Sequence, residues 1–307
     1  MRGLRTTLAA TSSGHLGVAA GLAAVGAWGF GAVISKHIDL SGVALAFHRM
    51  WISALLYVAI LRSRGVRMDL VVLRRAAPAG LAFAANIACF FTAVKLTTIA
   101  NATIIGALQP VLTLGLAGRF GERPDRAVIT GTGLGLAGVV LVVIGSSGTP
   151  QWSLRGDLFA VGAVVAFTAY FAVAKRARDH LGALELQWGA QVVAALVLAP
   201  LVALSGQSFA LPSGTDAAWL ALLIAVPGTG HLLMNWAHAH VPLTITSMLT
   251  LAVPVVSSAA AAVFLGEAVG VLQVVGAVVV LGALGAVVAH ASRPAAPIVT
   301  PPDLPHP

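Results

Sequence analysis

Charged residues are scarce in this sequence. Only 9% of its 307 residues are charged, against about 25% in a typical soluble domain. So few charges cannot form the water-facing surface of a soluble enzyme, a nucleic-acid-binding protein or a disordered chain, which excludes all three classes. Hydrophobic residues make up 58% of the chain, and its mean hydropathy is +0.94. An integral membrane protein remains, and at ~20 residues a span the length allows about ten spans.

Cysteine and intramembrane carboxylates are also nearly absent. The single cysteine, Cys89, excludes an intrachain disulfide and is interpreted as a small buried apolar side chain. All acidic residues fall in loops, in tails or at the ends of apolar segments, so no carboxylate is placed at mid-membrane to carry H⁺ or Na⁺. A proton as the coupling ion would therefore need His231, His48 or Glu185. No metal-ligand motif is present, so we expect no metal, no cofactor and no enzyme activity.

Ten apolar segments are long enough to cross a bilayer as helices. We therefore expect an all-α membrane protein with short loops, a cytoplasmic N-terminus at 1–14 and a disordered, proline-rich tail at 291–307. The predicted spans are 15–35, 42–61, 76–94, 98–118, 127–145, 156–174, 184–204, 217–237, 242–265 and 269–290.

The basic residues predict the orientation of these spans. Fourteen Lys and Arg lie at the N-terminus, in the loops 62–75, 119–126 and 175–183, and in the tail. Three, Lys36, Lys95 and Arg155, lie on the opposite side. Because cytoplasmic loops are enriched in Lys and Arg, both termini are expected in the cytoplasm. The net charge of +8 is thus attributed to this face of the membrane and not to nucleic acid.

The chain repeats itself after about 140 residues. The two halves, 15–145 and 156–290, are joined by a linker at 146–155. The matched pairs are Gly17 and Gly156, Trp28 and Phe167, Lys36 and Lys175, Ala93 and Ala237, Pro110 and Pro254, Glu122 and Glu267, and Gly131 and Gly276. Each half has five spans, an odd number, so the two copies must cross the bilayer in opposite senses. Such inverted repeats are typical of secondary transporters, with the substrate site near the midplane between the halves.

Four segments carry a resemblance to a known family. They are ALQPVLTLGLAGRFGE, LAVPVVSSAAAAVFLGE, GDLFAVGAVVAFTAYFAVAKR and the FHR at Phe47–Arg49. With these segments the chain resembles the EamA-type drug/metabolite transporters over roughly residues 15–290. The resemblance implies ten helices in two EamA repeats. It also implies a role in moving small metabolites, most often outward, across the bacterial inner membrane. It does not choose among amino acids, drugs and sugars.

Polar side chains within the spans are candidates for the substrate cavity, because they cost free energy unless they are paired or face water. Arg49, about seven residues into its span, either lines a cavity or has a structural role at the interface or on a carbonyl. His231, Asn235 and His238 share one helical face, which favours a cavity wall or a hydrogen-bonded stripe. The full set is Trp28, His48, Arg49, Asn101, Gln109, Trp188, Gln191, His231, Asn235 and His238.

Four prolines interrupt the predicted spans, and each removes a backbone hydrogen bond. They are Pro110, Pro200, Pro227 and Pro254. Pro110 and Pro254 are equivalent in the two repeats. They are therefore either hinges near the cavity or static kinks that suit packing.

Together these features predict a secondary transporter that exports a small metabolite by alternating access. A cavity lined by Arg49, histidines and amides suits a carboxylate-bearing or zwitterionic solute such as an amino acid. A sugar or nucleotide-sugar carrier is the alternative within the class, and it would need more basic cavity residues. An intramembrane hydrolase that uses Ser257 or Ser258 with His231 is the alternative from another class. The expected partners are a small-molecule substrate, the lipid bilayer and H⁺, without nucleic acid.

Overall fold

The computed structural model of this chain describes residues 12–66, 68–146, 153–265 and 268–292. Within these ranges the regular structure is helical, and ten helices are long and apolar enough to cross a membrane, which confirms the ten predicted spans. The disordered tail expected at 291–307 falls almost wholly outside the described residues, as does Glu267. The helices are α1 Gly14–Lys36, α2 Gly42–Ser63, α3 Leu70–Leu96, α4 Ile99–Phe120, α5 Arg126–Gly145, α6 Leu154–Ala177, α7 Ala183–Leu204, α8 Gly214–Ala237, α9 Leu243–Phe264 and α10 Val271–Ala291.

The largest difference from the predicted bounds is in α3. The span was predicted to begin at residue 76, whereas the helix begins at Leu70. Asp69 is its N-cap, and its carboxylate accepts a hydrogen bond of 2.9 Å from the Val72 N–H. The apolar pattern missed residues 70–75 because they end in Arg74 and Arg75, which a helix tolerates where it extends beyond the hydrocarbon.

Three of the ten helices are interrupted. α1 is broken between Trp28 and Gly31, and α4 consists of Ile99–Gly106 and Gln109–Leu116 followed by a 3₁₀ turn. In α9 a 3₁₀ turn, Thr250–Ala252, follows Leu243–Leu249. Pro110 and Pro254 lie in the first turn after the breaks in α4 and α9, where proline is tolerated.

Pro200 and Pro227 lie within the continuous helices α7 and α8. At these two positions the proline does not break the helical path, and their role as hinges or static kinks stays a prediction. Each still leaves one carbonyl without its usual backbone donor.

The bundle has two ends, which we name by their connections. The basic end carries the arginine-rich loops 64–69, 121–125 and 178–182 and the connection 238–242. The linker end carries the connections 37–41 and 97–98, the loop 205–213 and the described residues Ser146 and Ser153, between which the linker runs in the sequence. By the distribution of Lys and Arg, the basic end is the predicted cytoplasmic end.

Matched lysine contacts connect each first helix of a repeat to the turn between its third and fourth helices. Lys36 Nζ donates to the Thr97 carbonyl over 3.5 Å. Lys175 Nζ donates to the Val241 carbonyl over 2.8 Å and to the His238 carbonyl over 3.0 Å. Thr97 and Val241 are 144 residues apart, the same offset as Pro110 and Pro254. The repeat in the sequence is therefore also a repeat in contacts.

Matched glycines bring the two repeats into close contact with each other. A Cβ added at Gly17 would lie 2.5 Å from Val241 Cγ2, and one added at Gly156 would lie 2.6 Å from Thr97 Cβ. In α10, a Cβ at Gly276 would lie 2.5 Å from the Val142 backbone nitrogen in α5. These close approaches require glycine and relate the repeats by an approximate two-fold axis that passes between α5 and α10.

Packing between the repeats is not equal at the two ends. At the basic end α3 packs extensively on α7, where a Cβ at Gly80 would lie 2.5 Å from Val193 Cβ and one at Gly189 would lie 2.6 Å from Ala76 Cβ. The symmetry-related pair, α8 and α2, makes far fewer contacts. The bundle is therefore closed at the basic end and loosened between α2 and α8.

Candidate functional site

Beside this loosened region lies a cavity of about 170 Å³, which is partly open to the outside. The lining residues come mainly from the linker-end half of the helices, and most of them are apolar. The side chains in its wall that carry a polar group are Trp28, Arg49, Asn86, Thr103, His231, Thr250 and Ser257. Among the described residues that line it, Arg49 is the only one with a formal charge at neutral pH.

Arg49 is held by apolar and aromatic neighbours. It is 2% exposed, and its guanidinium carbon lies 5.8 Å from the centre of the Phe91 ring, which is a cation–π contact. Its Nε is buried without a hydrogen-bond partner, and within the described ranges the side chain forms no ion pair. A buried cation of this kind is costly unless an anion or water accompanies it, so the cavity at Arg49 is suited to a negatively charged group.

An aromatic cluster forms the deep wall of the cavity. The His231 ring lies 4.8 Å from the Trp28 ring, 4.7 Å from Phe83 and 6.2 Å from Tyr170, measured between centroids. Trp28 is also in edge contact with Phe167, its repeat-equivalent residue, at 5.5 Å. Trp28 Nε1 and His231 Nδ1 have no hydrogen-bond partner among the described atoms. The wall thus combines flat apolar surface with two polar nitrogens.

Other polar side chains of the wall are already bonded to the protein. Asn86 Nδ2 donates to the Ala163 carbonyl over 3.0 Å, and Ser257 Oγ donates to the Gly29 carbonyl over 2.6 Å. Ser257 therefore does not use His231 as a base in this structure, although both line the cavity. In the described part of the chain no group of three or more His, Cys, Asp or Glu is arranged to hold a metal ion.

Buried polar groups close the basic end below the cavity. Tyr170 Oη donates to Asn235 Oδ1 over 3.0 Å, and Asn235 Nδ2 donates to Gln187 Oε1 over 2.7 Å. Ser247 Oγ donates to Gln109 Oε1 over 2.6 Å. The Ser247–Gln109 bond joins the two repeats at the basic end, whereas the other two bonds connect three helices of the second repeat.

The Glu122 carboxylate, in the first repeat, binds the start of α9 in the second repeat. Glu122, which follows α4, accepts hydrogen bonds from the Leu243 N–H at 2.5 Å, the Thr244 N–H at 3.0 Å and the Thr244 hydroxyl at 2.8 Å. It is 8% exposed. A negative charge at a helix N-terminus is stabilising, because it satisfies free N–H groups and opposes the helix dipole.

His238 follows α8 directly and lies within this closed region. Burial, then the positive charges of Lys175 and Arg178, lower the pKa of His238 to about 3. Its Nδ1 lies 3.4 Å from Thr246 Oγ1, its Nε2 has no partner, and its ring is in edge contact with Phe171. The closed basic end therefore keeps this imidazole neutral.

Three of the ten predicted cavity residues line the cavity: Trp28, Arg49 and His231. The seven others lie outside its lining and are His48, Asn101, Gln109, Trp188, Gln191, Asn235 and His238. Of the four prolines, Pro227 and Pro254 line it. For the seven residues the structure corrects the prediction that they line one cavity together with Arg49.

Two causes explain the positions of these seven residues. Gln109, Asn235 and His238 lie in the closed basic-end half of the same pathway. The others are turned to different partners: His48 Nδ1 accepts from Trp51 Nε1 at 3.1 Å, and Asn101 Nδ2 donates to Asp157 at 3.0 Å. Trp188 and Gln191 are buried on α7, which packs on α2 and α3.

Sequence reasoning missed several lining residues. Asn86 is a polar residue inside an apolar span, the same signal that identified Arg49, and could have been found. Phe90 and Phe91 on α3 and Phe167 on α6 carry no such signal, because aromatic residues are common in apolar spans.

Comparison with known proteins gives a family and a fold. The sequence profile described as the EamA-like transporter family matches residues 15–144 and 154–289. No curated protein sequence matches this chain. A crystal structure that carries no functional description is similar to this one with a TM-score of 0.74 and 21% sequence identity, over 90% of this chain and 97% of that chain. At this identity the likeness shows the fold alone.

Proposed function

This chain belongs to the EamA-like transporter family, and we propose that it is a secondary transporter of a small carboxylate-bearing or zwitterionic solute, such as an amino acid. It exports this solute across the bacterial inner membrane by alternating access, with both termini in the cytoplasm. The fold, the multi-pass membrane location and the transporter family are established above. The outward direction follows the usual role of the family, and the topology follows the bias of Lys and Arg.

The observation that carries the solute class is the buried Arg49 side chain. It supplies the only formal charge in the described cavity wall, and no carboxylate of the described protein pairs with it. A solute carboxylate there would gain a charge-assisted hydrogen bond in a site with little water. The aromatic cluster around Trp28 and His231 offers apolar surface for the rest of the solute.

A sugar or nucleotide-sugar carrier is less well supported. A diphosphate would bring about two negative charges, and the described wall offers Arg49 alone to meet them. We propose a proton as the coupling ion, because His231 lines the cavity and no carboxylate among the described residues does. An imposed pH gradient across proteoliposomes that drives uptake in the wild type but not in His231→Gln supports this coupling.

Counterflow into proteoliposomes tests the solute class. The wild type is expected to exchange labelled neutral amino acids and not labelled sugars or nucleotide sugars. Arg49→Gln is expected to lose tenfold or more in apparent affinity, because a hydrogen bond to a charged group contributes ~1.5–3 kcal/mol. Arg49→Lys keeps the charge and is expected to retain part of the activity.

The matched control is Arg126→Gln, which removes one positive charge from an exposed position at the basic end of α5. It is expected to transport as the wild type does. Wild-type counterflow by Arg49→Gln, or counterflow of nucleotide sugars in place of amino acids, would contradict the proposal.

A further inference from the structure

Six buried polar residues at the basic end have repeat-equivalent partners in the wall of the open cavity. We name them the basic-end cluster; none is more than 1% exposed. With the offset of 144 residues that relates Pro110 to Pro254, each pairs with a lining residue. The pairs are Gln109 with Val253, Thr113 with Ser257, Asn235 with Phe91, His238 with Val94, Thr246 with Ala102 and Ser247 with Thr103.

This correspondence has a direct geometric meaning. In an inverted repeat, the contacts that one half makes in one state are taken over by the other half in the opposite state. The positions of Phe91, Val94 and Thr103 in the present cavity therefore indicate where Asn235, His238 and Ser247 lie when the basic end is open.

Unsatisfied hydrogen-bonding groups in and beside the basic-end cluster also indicate that these side chains meet other partners in another state. Among the described atoms, His238 Nε2 has no hydrogen-bond partner, and neither has Nε2 of Gln187, whose Oε1 accepts from Asn235. A buried donor or acceptor without a partner is costly, and one that serves packing alone is usually replaced by an apolar group. The equivalent positions at the linker end are indeed apolar, namely Phe91 and Val94.

We infer that the basic-end cluster is a second solute-binding surface, which faces the cavity when it opens to the basic end and binds neutral hydrogen-bonding groups of the solute. Amide, hydroxyl and imidazole groups recognise hydroxyl, amide and amine groups. Arg49, at the other end of the pathway, is placed for the carboxylate. The inference rests on the proposed transport function and adds a chemical difference between its two faces: a mainly apolar wall at the linker end and a wall richer in hydrogen-bonding groups at the basic end.

Thiol labelling at two equivalent positions tests this surface. Thr103→Cys and Ser247→Cys are near-isosteric changes, made in a Cys89→Ser background. Thr132→Cys is the control, because Thr132 is 2% exposed on α5, bonds its own helix at the Val128 carbonyl and lies outside the pathway. A membrane-impermeant charged thiol reagent is applied to either face of sealed vesicles.

Thr103→Cys is expected to react from the linker-end face and Ser247→Cys from the basic-end face, each at least tenfold faster than Thr132→Cys. Adding Glu122→Gln, which loosens the start of α9, is expected to speed Ser247→Cys by about thirtyfold and to slow Thr103→Cys. The inference is overturned if Ser247→Cys stays as slow as Thr132→Cys from both faces in both backgrounds while Thr103→Cys reacts. Reaction of both thiols from the same face overturns it too.

This test separates the inference from the proposed function. Labelling needs no solute, so the two-faced pattern without amino acid counterflow would refute the solute class and keep the second surface. Amino acid counterflow together with an unreactive Ser247→Cys would keep the solute class and refute the second surface.

Discussion

Glu122→Gln is the sharpest probe of how the basic end is held shut. The Glu122 carboxylate accepts three hydrogen bonds at the start of α9, with donor–acceptor distances of 2.5, 3.0 and 2.8 Å. Glutamine keeps one acceptor oxygen and loses the charge. Because a hydrogen bond to a charged group exceeds a neutral one by at least ~0.5 kcal/mol, the three bonds together lose ~1.5 kcal/mol. The helix dipole adds ~0.3–1 kcal/mol, so we expect the closed state to lose about 2 kcal/mol.

A loss of about 2 kcal/mol corresponds to a shift of roughly thirtyfold toward the state open at the basic end. The assay is the ratio of labelling rates of Ser247→Cys and Thr103→Cys in sealed vesicles. The matched control is Glu185→Gln. Glu185 also caps a helix at the basic end, accepting from the Gly182 N–H at 2.7 Å, but both residues belong to the same repeat. It is expected to change the ratio less than twofold.

One result would refute the reasoning. If Glu122→Gln lowers the melting temperature and leaves the labelling ratio unchanged, the carboxylate stabilises both states equally. Glu122 would then stabilise the fold in general and would not favour the state closed at the basic end.

Two further predictions concern packing and pH. Gly276→Ala places a Cβ 2.5 Å from a backbone nitrogen of α5 and is expected to lower the free energy of unfolding by ~1–3 kcal/mol. The measurement is the melting temperature in detergent. The control is Gly282→Ala, whose Cβ meets no described atom within 4 Å. Because burial, Lys175 and Arg178 lower the pKa of His238 to about 3, against about 6.5 when hydrated, acidification from pH 7 to pH 5 favours the state in which it is hydrated. The ratio of basic-face to linker-face labelling should rise by up to about thirtyfold at pH 5, and His238→Gln should abolish the rise.

The ten crossings were predictable from the sequence, because hydropathy over ~20 residues reflects the thickness of the bilayer directly. The repeat was predictable because helix contacts such as those of Gly17 and Gly156 leave little choice of residue. The start of α3 was not, since Arg74 and Arg75 hide a helical turn that extends beyond the apolar region.

The residue types of the candidate site were predictable from the sequence, whereas the position of each residue relative to the cavity was not. Polarity inside a span selected Arg49 and His231, which line the cavity of this structure, and also Gln109 and Asn235, which are buried at the closed end. A sequence encodes every state of a moving protein at once, whereas one structure shows one state. The depth of a polar residue along its helix therefore could not reveal whether it faces the present cavity.

The unequal lysine contacts have a consequence for evolution and engineering. Lys175 holds two carbonyls within 3.0 Å at the basic end, while its counterpart Lys36 reaches one at 3.5 Å at the linker end. Under the proposed alternating access the two positions exchange roles between states. A mutation that strengthens one of these contacts alone would then shift the equilibrium toward the state in which that contact forms. The same mutation made at both lysine positions would stabilise both states equally and leave the equilibrium between them unchanged. Sequence differences between the two halves, more than the total stability of the protein, thus determine which of the two states is preferred when no solute is bound.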